Sequence, residues 1–277
     1  MESLRIYLKY ARYRYVAYRI FLRIRMGKKK RDHFLRKSGL SEIDFLPERV
    51  YSINRINALP RKGSDDFYMF YIPREKELLP HLIMHKGETF VDVGANVGYY
   101  SLKLAKEYSS MGVTIIAIEA HPGNYKALRK NVELNDFKCI TTINKAVADH
   151  NGIVTMYERI DTRNRVRSEF YSLSNGFIHE SNVVRPDGGS LEIECDTLDN
   201  ILRDQRVDVM KIDIEGAEVS ALKGASQILK KLRKIIVEVH GANFDKVMQI
   251  LNDTHNFRCE TIETSLMNYV VGSRLSN

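Results

Sequence analysis

Two rhythms of hydrophobic and polar residues alternate along most of this 277-residue chain. From about residue 88, short β-branched runs are followed by stretches with apolar residues every three or four positions. The runs at 89–93, 113–118 and 140–145 predict strands, and the stretches at 98–108 and 122–135 predict helices. Residues 152–158 and 190–195 read as an antiparallel insertion. A strand at 207–213, a helix at 217–230, a strand at 234–239 and a helix at 242–253 follow. Final strands at 257–263 and 267–272, joined by a short turn, are expected to be antiparallel neighbours. Strands alternating with helices predict an α/β fold, with a mostly parallel sheet covered by helices on both faces.

The first eighty residues follow a different pattern. Leu4, Leu8, Ala11, Tyr15, Tyr18 and Leu22 form one stripe at helical spacing, so residues 3 to about 30 read as a helix. Arg5, Lys9, Arg12, Arg19 and Arg23 flank the stripe, and Lys28–Arg31 is a basic run. Three fates are open to such a helix: packing on the main domain, lying on an anionic membrane surface through residues 3–31, or gripping nucleic-acid phosphates. Four of the six prolines (Pro47, Pro60, Pro73 and Pro80) then fall between residues 47 and 80. They mark an irregular connector with at most short strands, such as Phe67–Ile72. The expected organisation is a basic helical arm (1–40), a connector (41–80) and a main α/β domain (81–277).

Charge sharpens that division. The formal net charge is +8, but residues 1–40 hold thirteen Lys or Arg against only Glu2 and Asp32. The remainder, thirty basic against thirty-three acidic residues, is close to neutral. Cys139, Cys195 and Cys259 are too scattered for a zinc or redox pair. No run of eighteen apolar residues exists to span a bilayer, and arginines interrupt every apolar stretch near the N-terminus. The expected location is cytoplasmic, with peripheral contact at the inner membrane surface if the arm binds there.

The most telling stretch is Phe90-Val-Asp-Val-Gly-Ala-Asn-Val-Gly-Tyr-Tyr100, an apolar strand, a glycine turn and a helix start. A dinucleotide fingerprint requires Gly-x-Gly-x-x-Gly. Here Asn96 stands two positions after Gly94, and the spacing is Gly94-x-x-x-Gly98. That roomier turn suits S-adenosylmethionine (SAM), which carries no phosphate. Glu119 closes the next predicted strand, where a carboxylate can accept hydrogen bonds from both hydroxyls of an adenosine ribose. Its other reading is a helix-terminal charge ahead of Pro122.

Lys211-Ile-Asp-Ile-Glu-Gly-Ala-Glu218, with Thr197-Leu-Asp199 before it and Leu222-Lys-Gly224 after it, resembles the signature of the FkbM-type methyltransferases. Val91–Tyr100 is similar to that family's SAM motif, and Ala146–Asp149 and Val237–His240 to its remaining landmarks. The resemblance runs from about Gly87 to Val271. It implies a class I, Rossmann-like methyltransferase fold with a seven-stranded sheet and the ligand at the switch between the first and fourth strands. It further implies SAM as cofactor, held by Asp92, Gly94, Ala95, Asn96, Gly98, Tyr99, Glu119 and Ala146. The family's acceptors are diverse, so the substrate does not follow.

Transfer of a sulfonium methyl needs alignment and, for a hydroxyl acceptor, a base. Asp213, Glu215, Glu238 and His240 are the candidates at the ends of the fourth and fifth strands. Asp213 and Glu215 also have structural readings, in a turn and at a helix start. Lys211 shares strand parity with Asp213 and reads as support. His240, with a pKa near neutrality, is a candidate proton acceptor. No metal site is assigned; a divalent cation on Asp213, Glu238 and His240 is the alternative, magnesium or manganese before zinc. Arg159–Ser190 is a polar, arginine-bearing segment that either selects the acceptor or is a charged insertion. The expected activity is O-methylation of a sugar or other hydroxyl, possible acceptors being a glycan or glycolipid. The competitors are an RNA methyltransferase, a protein methyltransferase and a non-catalytic SAM-binding module.

Overall fold

The computed structural model describes residues 48–61, 64–71, 76–160, 166–172, 190–264 and 267–274. The expected helix at 3–30 and the arm around it lie outside these residues, as does most of the segment between Arg159 and Ser190. The described chain begins with an antiparallel hairpin, β1 (Tyr51–Ile53) and β2 (Ile56–Ala58). Asn54 and Arg55 make its two-residue turn, both with positive φ (53° and 61°), the twist that suits a tight hairpin. Residues 67–72, read from the sequence as a strand, instead belong largely to a helix, α1 (Asp66–Tyr71). Their run of aromatic and apolar residues carries no period that separates helix from strand. Packing decides: Phe67 and Phe70, three apart, share one helical face and bury against Val97, Leu102 and Ala127.

Next come β3 (Thr89–Val93), α2 (Tyr99–Tyr108), β4 (Thr114–Glu119), α3 (Pro122–Glu133) and β5 (Ile140–Asn144). A smaller element set follows: β6 (Ala146–Val147), β7 (Gly152–Ile160), β8 (Val166–Ser172), β9 (Ser190–Asp196) and α4 (Leu198–Ile201). The chain then forms β10 (Val209–Ile212), α5 (Glu218–Lys223), β11 (Lys234–Val239), α6 (Phe244–Met248), β12 (Arg258–Glu263) and β13 (Asn268–Ser273). The main sheet has seven strands in the order β12-β13-β11-β10-β3-β4-β5. β13 runs antiparallel to both its neighbours, and the other pairings are parallel. This is the Rossmann-like sheet of class I methyltransferases. β6, β9, β7 and β8 form a second sheet, in which β7 and β9 are the expected antiparallel pair.

The central strands read as continuous apolar runs because both faces are covered. Val91, Val93, Met210, Ile212, Ile235 and Val237 enter one buried cluster; Phe90, Ile115, Val209 and Ile236 enter the other. Two helices depart from their expected spans. The one foreseen at 217–230 stops at Lys223, ahead of Gly224, which packs so near Ala148 that a Cβ would lie 2.3 Å from its carbonyl oxygen. Turns continue from there, and the Asp199 carboxylate accepts the Gln227 and Ile228 N–H groups. The stretch at 242–253 divides into a 3₁₀ turn (Gly241–Asn243), α6, and a π-helical segment (Gln249–Thr254).

Two asparagines of the α3 region tie the N-terminal hairpin to the glycine turn. Asn131 accepts the Leu59 N–H (2.9 Å) and donates to the Val97 carbonyl (2.9 Å). Asn135 accepts from and donates to the Asn57 backbone (2.8 and 2.7 Å). The connector segment is thus fastened to the same helix that backs the glycine turn. Replacing Asn131, itself only 1% exposed, by Ala leaves a carbonyl and an N–H without these partners. Each such loss costs about 1–3 kcal/mol. Asn131→Ala is therefore expected to lower the melting temperature by about 4–10 °C, read by differential scanning calorimetry; an unchanged midpoint would contradict this anchoring.

Candidate active site

The strand order reverses between β3 and β10, and in open α/β sheets the crevice beyond the carboxyl ends of such strands is where ligands bind. Gly94 leaves β3 with φ +82°, and a Cβ there would sit 1.9 Å from the Asp213 carbonyl oxygen. Glycine is required on both counts, backbone conformation and contact. Asn96 (φ 50°) and Gly98 (φ +94°) continue the left-handed turn into α2. The Gly94 and Ala95 N–H groups donate to the Ile118 carbonyl (2.9 and 3.0 Å), which binds the turn to the end of β4. Asp92, buried, accepts from the Ser101 N–H and hydroxyl (3.2 and 2.6 Å), and so orients α2 against β3. Burial pushes its pKa up.

Glu119 closes β4 where the sequence placed it. One carboxylate oxygen accepts the Asn96 N–H (2.8 Å), the other the His121 N–H (2.9 Å). The helix-end alternative is not realised: His121, not Glu119, caps α3, its ring accepting from the Asn124 N–H. Burial raises the Glu119 pKa to about 7, against the pull of those backbone donors. Ala146 begins β6 just beyond β5 and is buried with Ala148 and Cys195, giving the crevice an apolar neighbour. The Tyr99 ring stands edge-on to Phe70 and Tyr100 (6.2 and 5.1 Å), joining the glycine turn to α1. A bare glycine turn beside a buried carboxylate with lone pairs to spare fits an adenosine-bearing cofactor such as SAM.

All four predicted catalytic candidates converge on the other side of Gly94. Lys211, buried in β10, donates to Asp213 (2.8 Å) with its ammonium 4.9 Å from the centre of the Tyr100 ring. Burial opposes ionisation of Asp213, yet the charges of Lys211 and His240 hold it below the usual carboxylate range. Glu238 and His240 share one face at the end of β11, as their spacing foretold, with Glu238 Oε1 3.4 Å from His240 Nε2. Burial, then the Asp213 charge, lifts the Glu238 pKa to about 7. Glu215 takes a left-handed backbone (φ 53°) in the turn after β10, and its Oε2 lies 3.6 Å from His240 Nε2.

The structure corrects the expected protonation of His240. Burial alone lowers its pKa, but Glu218, Glu238, Glu215 and Asp213 outweigh that and raise it to about 11. An imidazole ringed by carboxylates carries its proton at neutral pH and is no base there. Glu218 was missed from the sequence as a site residue. It lies in the first turn of α5, where an acid satisfies the helix dipole, so its position suggested only that role. It is fully buried, and its Oε1 meets His240 Nδ1 at 2.8 Å and accepts the Gly216 N–H at 2.7 Å. Asn243 donates to its other oxygen (3.0 Å).

Two measurements check the cofactor side. Gly94→Ala is expected to abolish retention of labelled SAM in equilibrium dialysis; retention at wild-type strength would place the ligand elsewhere. Glu119 is ionised above about pH 7 and neutral below it. SAM affinity should therefore fall severalfold as pH drops through that value, and Glu119→Gln should flatten the profile.

The sequence profile described as the methyltransferase FkbM domain matches residues 92–259. Methyltransferase sdnD of Sordaria araneosa is 27% identical over 169 residues, 53% of this chain and 64% of that protein. Methyltransferase 1 of Beauveria bassiana is 25% identical over 143 residues, 48% of this chain and 57% of that protein. The chain thus matches less than two thirds of the length of these curated relatives. The crystal structure of an FkbM methyltransferase from Methylobacillus flagellatus aligns at 19% identity with a TM-score of 0.47, over 70% of this chain and 45% of that one. By the profile match, which covers more than half its length, this chain belongs to the FkbM methyltransferase family.

Proposed function

We propose that the protein transfers the methyl group of SAM to a hydroxyl oxygen. The observation that carries this reading is the convergence of Asp213, Glu215 and Glu238 beside the glycine turn. SAM supplies a methyl carbon already activated on a sulfonium. What a hydroxyl acceptor lacks is a destination for its proton, and a carboxylate is one. Asp213 and Glu215 are the more exposed members, with side chains 27% and 17% accessible, whereas Glu238 and His240 are enclosed. Of these two, Asp213 is already bonded to the Lys211 ammonium, so Glu215 takes the proton from the acceptor oxygen. Lys211 holds Asp213 ionised beside it, and His240, fixed by Glu218, keeps the cluster from repelling itself apart.

A sugar hydroxyl of a glycan or glycolipid is the acceptor class we favour. The support is the basic stripe at residues 3–31, which would hold a cytoplasmic enzyme against an anionic membrane surface where lipid-linked sugars are presented. Among the described residues, no helix is long and apolar enough to cross a membrane. The same arm supports a second reading, an RNA acceptor gripped through phosphates. Incubation with methyl-labelled SAM and fractionated cell extract decides between them. Label in the lipid or polysaccharide fraction is expected; label in RNA, with binding lost steeply as salt rises, would overturn the sugar assignment, and so would label in protein.

Glu215→Gln and His240→Ala are expected to leave SAM affinity within about twofold while lowering turnover on the order of 100-fold. Unchanged turnover in both variants would remove the cluster from the reaction.

A further inference from the structure

At the ends of β10 and β11, one donor atom each from Asp213, Glu238 and His240 lies within 4.8 Å of the other two. We propose that these three side chains bind a divalent cation of the magnesium–manganese class, which holds the acceptor's hydroxyl oxygen. This rests on the hydroxyl-acceptor reading above and adds to it the means by which that oxygen is positioned.

Three features distinguish the cluster from an ordinary solvated acidic patch. First, the donors are mixed and enclosed: one imidazole nitrogen with two carboxylates, Glu238 and His240 being 4% and 2% exposed. Asp213 is the open member, so a cation there would meet protein on one side and the crevice on the other. Second, the imidazole is aimed. Glu218 holds Nδ1 at 2.8 Å and is itself fixed by the Gly216 N–H and the Asn243 amide, which turns Nε2 toward Glu238 and Glu215. A carboxylate behind a histidine in this way is the arrangement that orients metal-ligating imidazoles. Third, the charge is unbalanced. Asp213, Glu215, Glu218 and Glu238 surround one imidazole, and Lys211 is the ammonium bonded to Asp213. Such a ring of carboxylates draws positive charge to its centre, and a divalent ion bound through Nε2, with the imidazole's proton there released to solvent, supplies it.

Two carboxylates with one imidazole suit a hard or intermediate six-coordinate ion better than the thiolate-rich sets that select zinc. Positions left open by the three side chains are available to water or to the acceptor. With the hydroxyl oxygen on the cation, its proton passes to the Glu215 carboxylate, the oxygen bonds to the methyl carbon, and the carbon–sulfur bond breaks to leave a neutral thioether.

The test is manganese(II) titration of the full chain, followed by the loss of the free-ion electron paramagnetic resonance signal. The wild type is expected to hold one Mn²⁺ per chain. Glu238→Gln and His240→Ala should weaken that binding by more than about tenfold, and Glu218→Gln, which touches no cation, by about 10–100-fold. SAM affinity, measured on each variant, controls for folding; Glu238→Gln is close to isosteric and carries the result should His240→Ala fail to fold. Mn²⁺ binding equal in the wild type and Glu238→Gln would overturn the cation site. If methyl transfer to a hydroxyl then survives exhaustive chelation, the hydroxyl reading stands without it. If Mn²⁺ binds as expected but label enters only nitrogen or carbon, the site stands as a cation site and its role on a hydroxyl oxygen is overturned.

Discussion

The contact between Gly94 and the Asp213 carbonyl is the constraint on which the rest of the site depends. The two backbones approach so closely that no β-carbon fits between them. β3 and β10 can therefore run side by side to their very ends, with the Asp213 N–H donating to the Val93 carbonyl (3.0 Å). Everything toward β4 then faces a bare turn and Glu119. Everything toward β11 faces an acidic cluster. One glycine thereby separates the turn beside Glu119 from the acidic cluster while keeping the two close together.

Both halves rely on buried carboxylates, used in opposite ways. Glu119 is held by two backbone N–H groups and burial, which poises it near its own titration. The cluster around His240 is held by side chains from three places: the end of β11, the turn after β10 and the start of α5. Buried charge of this kind costs stability unless every member is compensated. Lys211 over the Tyr100 ring, the Glu218–Asn243 bond and the imidazole offset part of that cost.

The main sheet was legible because its central strands are covered on both faces and so read as unbroken apolar runs. The glycine spacing, Glu119, and the Glu238–His240 pairing were legible because each depends on local register alone. Where the reading went astray, the deciding contacts were distant in sequence. α1 is a helix whose Phe67 and Phe70 pack in one cluster with Val97 and Ala127, and just past the end of α5 Gly224 abuts Ala148. His240 keeps its proton because Glu218, twenty-two residues away, lies behind it. No local pattern announces a carboxylate arriving from another element.

Calorimetric titration with SAM tests the central claim most directly, because the crevice between β3 and β10 either accepts a sulfonium-bearing adenosine or it does not. The account predicts saturable heat at one site per chain, with none for a nicotinamide dinucleotide, whose pyrophosphate has no glycine at position 96 to approach. Heat for the dinucleotide and none for SAM would contradict it.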